Sequence, residues 1–151
     1  MKTKIIVATV TVLWLVLVGW LIFGTDRKSD LSEEVQQDGQ TQLGTQINSE
    51  GGVEVEVTPI GISESSDLWQ FKIVLTTHSV ELDQDITKIT FLFDDKSNVY
   101  RPVSWEGTPP GGHHREGVLS FRSIKPQTPS LRLVIQNIGE TKEREFTWNL
   151  N

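Results

Sequence analysis

The sequence predicts an all-β fold: an immunoglobulin-like sandwich of two sheets and about seven strands, carried behind one N-terminal transmembrane helix and a flexible linker. Three observations lead there. Residues 5–24 form an unbroken apolar run, residues 25–50 are polar, and from Val53 onward apolar and polar residues alternate with period two. Turn residues break that alternation roughly every 8–15 positions, which suits short antiparallel strands, with a small barrel as second choice.

The apolar run reads IIVATVTVLWLVLVGWLIFG, with Lys2 and Lys4 before it and Asp26, Arg27 and Lys28 after it. At about 1.5 Å per residue it spans roughly 30 Å, the thickness of a bilayer hydrocarbon core. A cleaved signal fits less well, because its apolar region runs about 7–15 residues and cleavage needs small residues at −3 and −1. Here Gly24 is preceded two positions earlier by Ile22, and the absence of cysteine excludes a lipoprotein anchor. Lys2 and Lys4 balance Arg27 and Lys28, so the basic-residue count alone leaves orientation open. The short tail and the acidic body favour an N-terminus inside and a body outside. Trp20 lies where an interfacial belt residue would, and no GxxxG motif marks a helix dimer.

Composition agrees with one exported domain over residues 51–151. The chain has 14 basic and 20 acidic residues, and setting aside Lys2 and Lys4 leaves 12 against 20. Such a body has no electrostatic reason to bind nucleic acid or an anionic lipid surface. Zero cysteines remove disulfides, thiol nucleophiles and cysteine-based zinc sites together. Residues 25–50 hold five Gln, six acids and four scattered aliphatics, Leu31, Val35, Leu43 and Ile47, with no aromatic residue. That composition cannot offset chain entropy by burial, so the whole segment is expected to be a disordered tether.

The strands follow in order. Val53, Val55 and Val57 alternate with Glu54 and Glu56, stopped by Pro59. Trp69, Phe71, Ile73 and Leu75 make a second strand, and the acidic turn 81–85 leads to a third with Ile89, Phe91 and Phe93. The turn 94–98 folds it back onto 99–103, the clearest hairpin. A Pro/Gly-rich loop, 104–116, feeds a strand over 117–122; Leu131, Leu133 and Ile135 begin another, and Phe146, Trp148 and Leu150 mark the last. Trp69, Trp148 and the phenylalanines are assigned to the core.

The segments THSVELDQDI, FDDKSNVYRPVSWEG and PPGGHHREGVLSF resemble a family of small, membrane-anchored or exported bacterial β-sandwich proteins. The resemblance covers residues 53–150 and is most specific between Trp105 and Phe121. It implies the fold and the location, and it carries over no catalytic residue.

Chemistry rests on three histidines. His113 and His114 stand side by side in the 104–116 loop, and His78 ends the second strand. Imidazoles suit Cu or Zn, and Glu106, Asp83, Asp85 or Glu116 could complete a site. Adjacent residues seldom face one ion, although Gly111 and Gly112 permit a sharp bend. A structural role for the imidazoles is therefore the first reading, and a metal at His78, His113 and His114 the second; no other cofactor is expected. The loop is expected to be ordered, with Pro109 and Pro110 stiffening it, Trp105 anchored in the core, and Arg115 paired with Glu106 or with loop carbonyls.

Other catalytic arrangements are absent from the sequence. No GxSxG elbow surrounds Ser79, Asp94-Asp95 and Asp83/Asp85 fall in turns, and no DxDxDG loop occurs. The chain is expected to be no enzyme but an extracytoplasmic interaction module, contacting an envelope protein through Trp105, Glu106, His113, His114 and Arg115. A metal-binding domain is the alternative. Protease added to intact cells is expected to remove the body and spare the anchor; full protection would reverse the topology.

Overall fold

Alternation along a strand decides which side chains meet the opposite sheet and which meet solvent. The computed structural model describes residues 43–150, and there it gives two antiparallel sheets stacked face to face. The first holds β1 (Gln46–Glu50), β2 (Val53–Pro59), β3 (Leu68–Thr77), β7 (His114–Arg122) and β6 (Ser104–Gly107), in that spatial order. The second holds β5 (Val99–Tyr100), β4 (Thr90–Phe93), β8 (Ser130–Ile138) and β9 (Thr141–Asn149). A single helical turn, α1 (Ile86–Ile89), precedes β4. Among the described residues no helix is long and apolar enough to cross a membrane, and the 5–24 run lies outside them.

The core lies between the sheets. Val53, Val55 and Val57 from β2 and Trp69, Phe71, Ile73 and Leu75 from β3 face Leu131, Leu133 and Ile135 from β8 and Phe146 and Trp148 from β9. Phe71 meets Phe121 edge-on with ring centroids 5.7 Å apart, and lies 5.7 Å from Trp148. The Trp69 indole N–H donates to the Ser63 carbonyl at 2.9 Å, so a fully buried ring keeps its one donor satisfied.

Three expectations change. The tether was drawn to Glu50, yet β1 pairs with β2 from Gln46↔Val57 to Glu50↔Val53. The reason is the two-residue turn Gly51-Gly52, both at positive φ (53° and 75°), which is the geometry a tight hairpin requires. Residues 25–42 lie outside the described residues. Secondly, the strand expected over 99–103 stops at Tyr100, and Arg101, Pro102 and Val103 carry the chain across to the first sheet. There the expected 104–116 loop is strand at both ends, Ser104–Gly107 as β6 and His114 onward as β7, so the described residues hold nine strands against about seven expected. Thirdly, Phe91 and Phe93 are half-buried outside the core, because Leu92 takes the inward position opposite Leu133. Arg101 stacks over Phe91 at 4.1 Å and Arg132 over Phe93 at 4.2 Å, covering both rings.

The β4–β5 turn is organised by Asp94. Its carboxylate accepts from Lys96 N (2.9 Å), Asn98 N (2.8 Å), Asn98 Nδ2 (2.7 Å) and Tyr100 Oη (3.0 Å). Desolvation pushes its pKa up, and the bonds from Asn98, Tyr100 and Lys96 outweigh that and hold it below the ordinary 3.8. A depressed carboxyl contributes stability that is present above its ordinary value and lost as pH falls through the folded one. Asp94→Ala is expected to cost about 1 kcal/mol at pH 7 after solvent screening. The cost should shrink as pH is lowered below 3.8, read by urea denaturation.

Candidate functional site

The end of the sandwich holding the β3–α1 and β6–β7 connections gathers most of the residues picked from sequence. β3 finishes at Thr77, whose hydroxyl donates to Gly52 O at 2.7 Å and accepts from Ser79 N and Val80 N, turning the chain sharply. Leu82 then drops into the core, wholly buried between exposed Glu81 and Asp83. Asp85 caps α1, accepting from Thr87 N at 3.1 Å and Thr87 Oγ1 at 2.6 Å. The Thr87 hydroxyl first, and then Lys88, hold its pKa low.

The β6–β7 hairpin closes against this loop. Gly111 N donates to Leu82 O (2.7 Å), Leu82 N to Gly112 O (3.0 Å), and Thr77 N to His113 O (2.9 Å), while Glu81 Oε1 accepts from Gly112 N at 2.6 Å. Gly111 and Gly112, at φ 117° and 74°, let the hairpin present its backbone this way. The two connections are thus zipped together by main-chain bonds.

Arg115 holds them from beneath. Only 1% exposed, it points inward and its Nη1 donates to Leu82 O (3.0 Å) and Gln84 O (2.7 Å). Burial lowers its pKa, and the charges of Asp85 and Asp83 push back. Trp105 anchors the other flank. Its indole lies against the paired glycines Gly107 and Gly117, where a Cβ on either would collide with the ring, and its N–H donates to Thr108 O at 3.0 Å. The Arg115 guanidinium sits 5.9 Å from the same ring.

The residues sort as follows. Trp105 and Arg115 build the surface from below. Glu106 stands on the outer face of β6 opposite Val118, on the other side of the sheet from Arg115, so of the two partners foreseen for Arg115 the loop carbonyls are the ones it uses. Glu116 points to the same outer face, 3.9 Å from Lys72. His78, His113 and His114 are all exposed at this end, His114 with Nδ1 3.2 Å from Thr76 Oγ1. They form no ligand set: among the described residues, no group of three or more His, Asp or Glu is arranged to hold a metal ion. Asp83 is exposed, and the Asp85 carboxylate is spent on its cap. Leu82, Glu81 and Thr77 were not singled out from sequence, and a lone leucine inside an acidic turn was the available signal.

The chain matches no protein-family model, no curated protein and no solved structure. Its function is therefore argued from geometry. Arg115→Met keeps the aliphatic stem and removes the bonds to Leu82 and Gln84. It is expected to cost about 2 kcal/mol in thermal unfolding, the range for leaving buried carbonyls unpaired. The amides of Leu82 and Gly111 should exchange faster while those of β3 and β8 keep their protection.

Proposed function

We propose that this chain is a non-catalytic interaction module, anchored in a membrane through residues 5–24 with its C-terminal domain extracytoplasmic. It contacts an envelope protein through the zipped surface of the β3–α1 and β6–β7 connections. The observation that carries this reading is the rigidity of that surface. Backbone bonds, a buried arginine and a seated indole fix two long connections whose exposed residues, His78, Asp83, His113 and His114, serve no core contact. Pre-organised loops at one end of a rigid sandwich limit the entropy lost on binding.

Topology and placement support it. With β2 to β9 read as A, B, C, C′, D, E, F and G, the sheets run A-B-E-D and C′-C-F-G, the arrangement of an immunoglobulin-like Greek key. The B–C, D–E and F–G connections then share one end, and variable-type sandwiches bind at the end holding B–C and F–G. Leu43, the first described residue, lies at the opposite end, because β1 runs away from it toward Gly51. Attachment through the N-terminus leaves the surface accessible. The metal alternative rests on the three exposed histidines alone.

A photoreactive residue placed at position 113 or 83 of the full chain in its native membrane is expected to crosslink a protein partner. One at position 64, at the opposite end, should not. Adducts from position 64 alone would move the contact surface to the other end of the sandwich.

A further inference from the structure

β1 is the least embedded of the longer strands. None of its five residues is buried, its one aliphatic residue, Ile47, is 59% exposed, and the side chains facing the sandwich seam are Gln46, Asn48 and Glu50. Next to it, the core takes Val53, Val55 and Val57 from β2 and no residue from β1. What holds β1 is its ladder to β2 and a few polar side-chain bonds. Gln46 pairs its carboxamide with both the N–H and the C=O of Thr147 on β9, in the manner of a strand neighbour.

Ser49 Oγ donates to the Glu54 carboxylate at 2.8 Å, and the other bonds come from Arg144, which is 2% exposed. Its Nη1 donates to Asn48 Oδ1, and its Nη2 to Glu50 O (2.8 Å) and Ile138 O (3.1 Å). All three acceptors are uncharged, and two of them belong to β1. Nε has no partner among the described residues, and no carboxylate there lies within 4.0 Å of the guanidinium. An uncompensated buried cation is costly, and a carboxylate neutralises it while accepting two of its N–H groups in a bidentate pair. The Glu50 charge of β1 acts on Arg144 only through space, and at the bonded position β1 offers the Asn48 amide.

We propose that β1 is a placeholder in a strand site, and that the site accepts an extended segment of another protein carrying a carboxylate at the position of Asn48. Displacing β1 exposes the edge of β2, whose Val-Glu-Val-Glu-Val run is well suited to strand pairing. Main-chain bonds to β2 supply affinity and Arg144 supplies the choice of sequence, the division of labour in strand addition. The site is separate from the loop surface, and neither depends on the other.

The test uses the full chain and two synthetic peptides spanning residues 43–50, one with Asn48→Asp and one with Asn48→Lys. In the free protein, the β1 amides are expected to exchange by local opening about 100-fold faster than those of β3 and β7. Asn48→Asp in the chain itself should slow that opening by about tenfold, since it gives Arg144 its carboxylate. The Asp peptide should bind, protect the β2 amides and release β1, and the Lys peptide should not bind. Exchange of β1 at the same rate as β3 would make it a permanent strand and overturn the proposal. So would absence of binding by the Asp peptide, or equal binding of the two peptides.

Discussion

The contact between Phe71 on β3 and Trp148 on β9 joins the two sheets at their apolar centre, and the remaining architecture follows from keeping water out of it. Once those rings face each other, strand parity fixes every other inward position. Val55, Ile73 and Leu119 on one sheet meet Leu133, Ile135 and Phe146 on the other, and polar residues are left for the outer faces. Several polar residues also point inward, and the two largest of the buried ones are arginines. Arg115 and Arg144 occupy inward positions near the margins of the core, where each replaces apolar packing with bonds to irregular backbone.

The two arginines answer one problem. At the margins of the sandwich, carbonyls of connecting segments and of strand ends come close together, and a guanidinium can reach several of them at once. Arg115 gathers the carbonyls of Leu82 and Gln84, and Arg144 those of Glu50 and Ile138. Each is desolvated enough to lower its pKa, and each keeps an unpaired Nε. Stability is spent there on fixing segments that carry few apolar contacts of their own.

Alternation made most of the sandwich readable in advance, because Val53 to Val57 or Trp69 to Leu75 admit only one buried face. It could not reveal β1, whose inward residues Gln46, Asn48 and Glu50 are polar. The signal was the Gly51-Gly52 pair, a tight-turn dipeptide that makes sense only with a strand before it. β6 was hidden for a different reason. Trp105 and Gly107 do alternate, but one ring covers two glycines across the strands, so the pattern looks like a loop. The end of the domain that carries the histidines followed from their places in the chain. What joins the loops there, reciprocal main-chain bonds through Leu82, has no side-chain signature to read.

The crossing at Arg101, Pro102 and Val103 gives the sandwich a handed mechanics. On that side the chain itself ties β5 of one sheet to β6 of the other across three residues, with Val103 N bonded to Ser120 O at 2.8 Å. On the other side the sheets are joined through Gln46, Arg144 and the bond from Trp148 Nε1 to Gly44 O. One margin is therefore closed by a three-residue covalent tie and the other by polar bonds between β1 and β9, while the longer crossings at 78–89 and 123–129 also join the sheets.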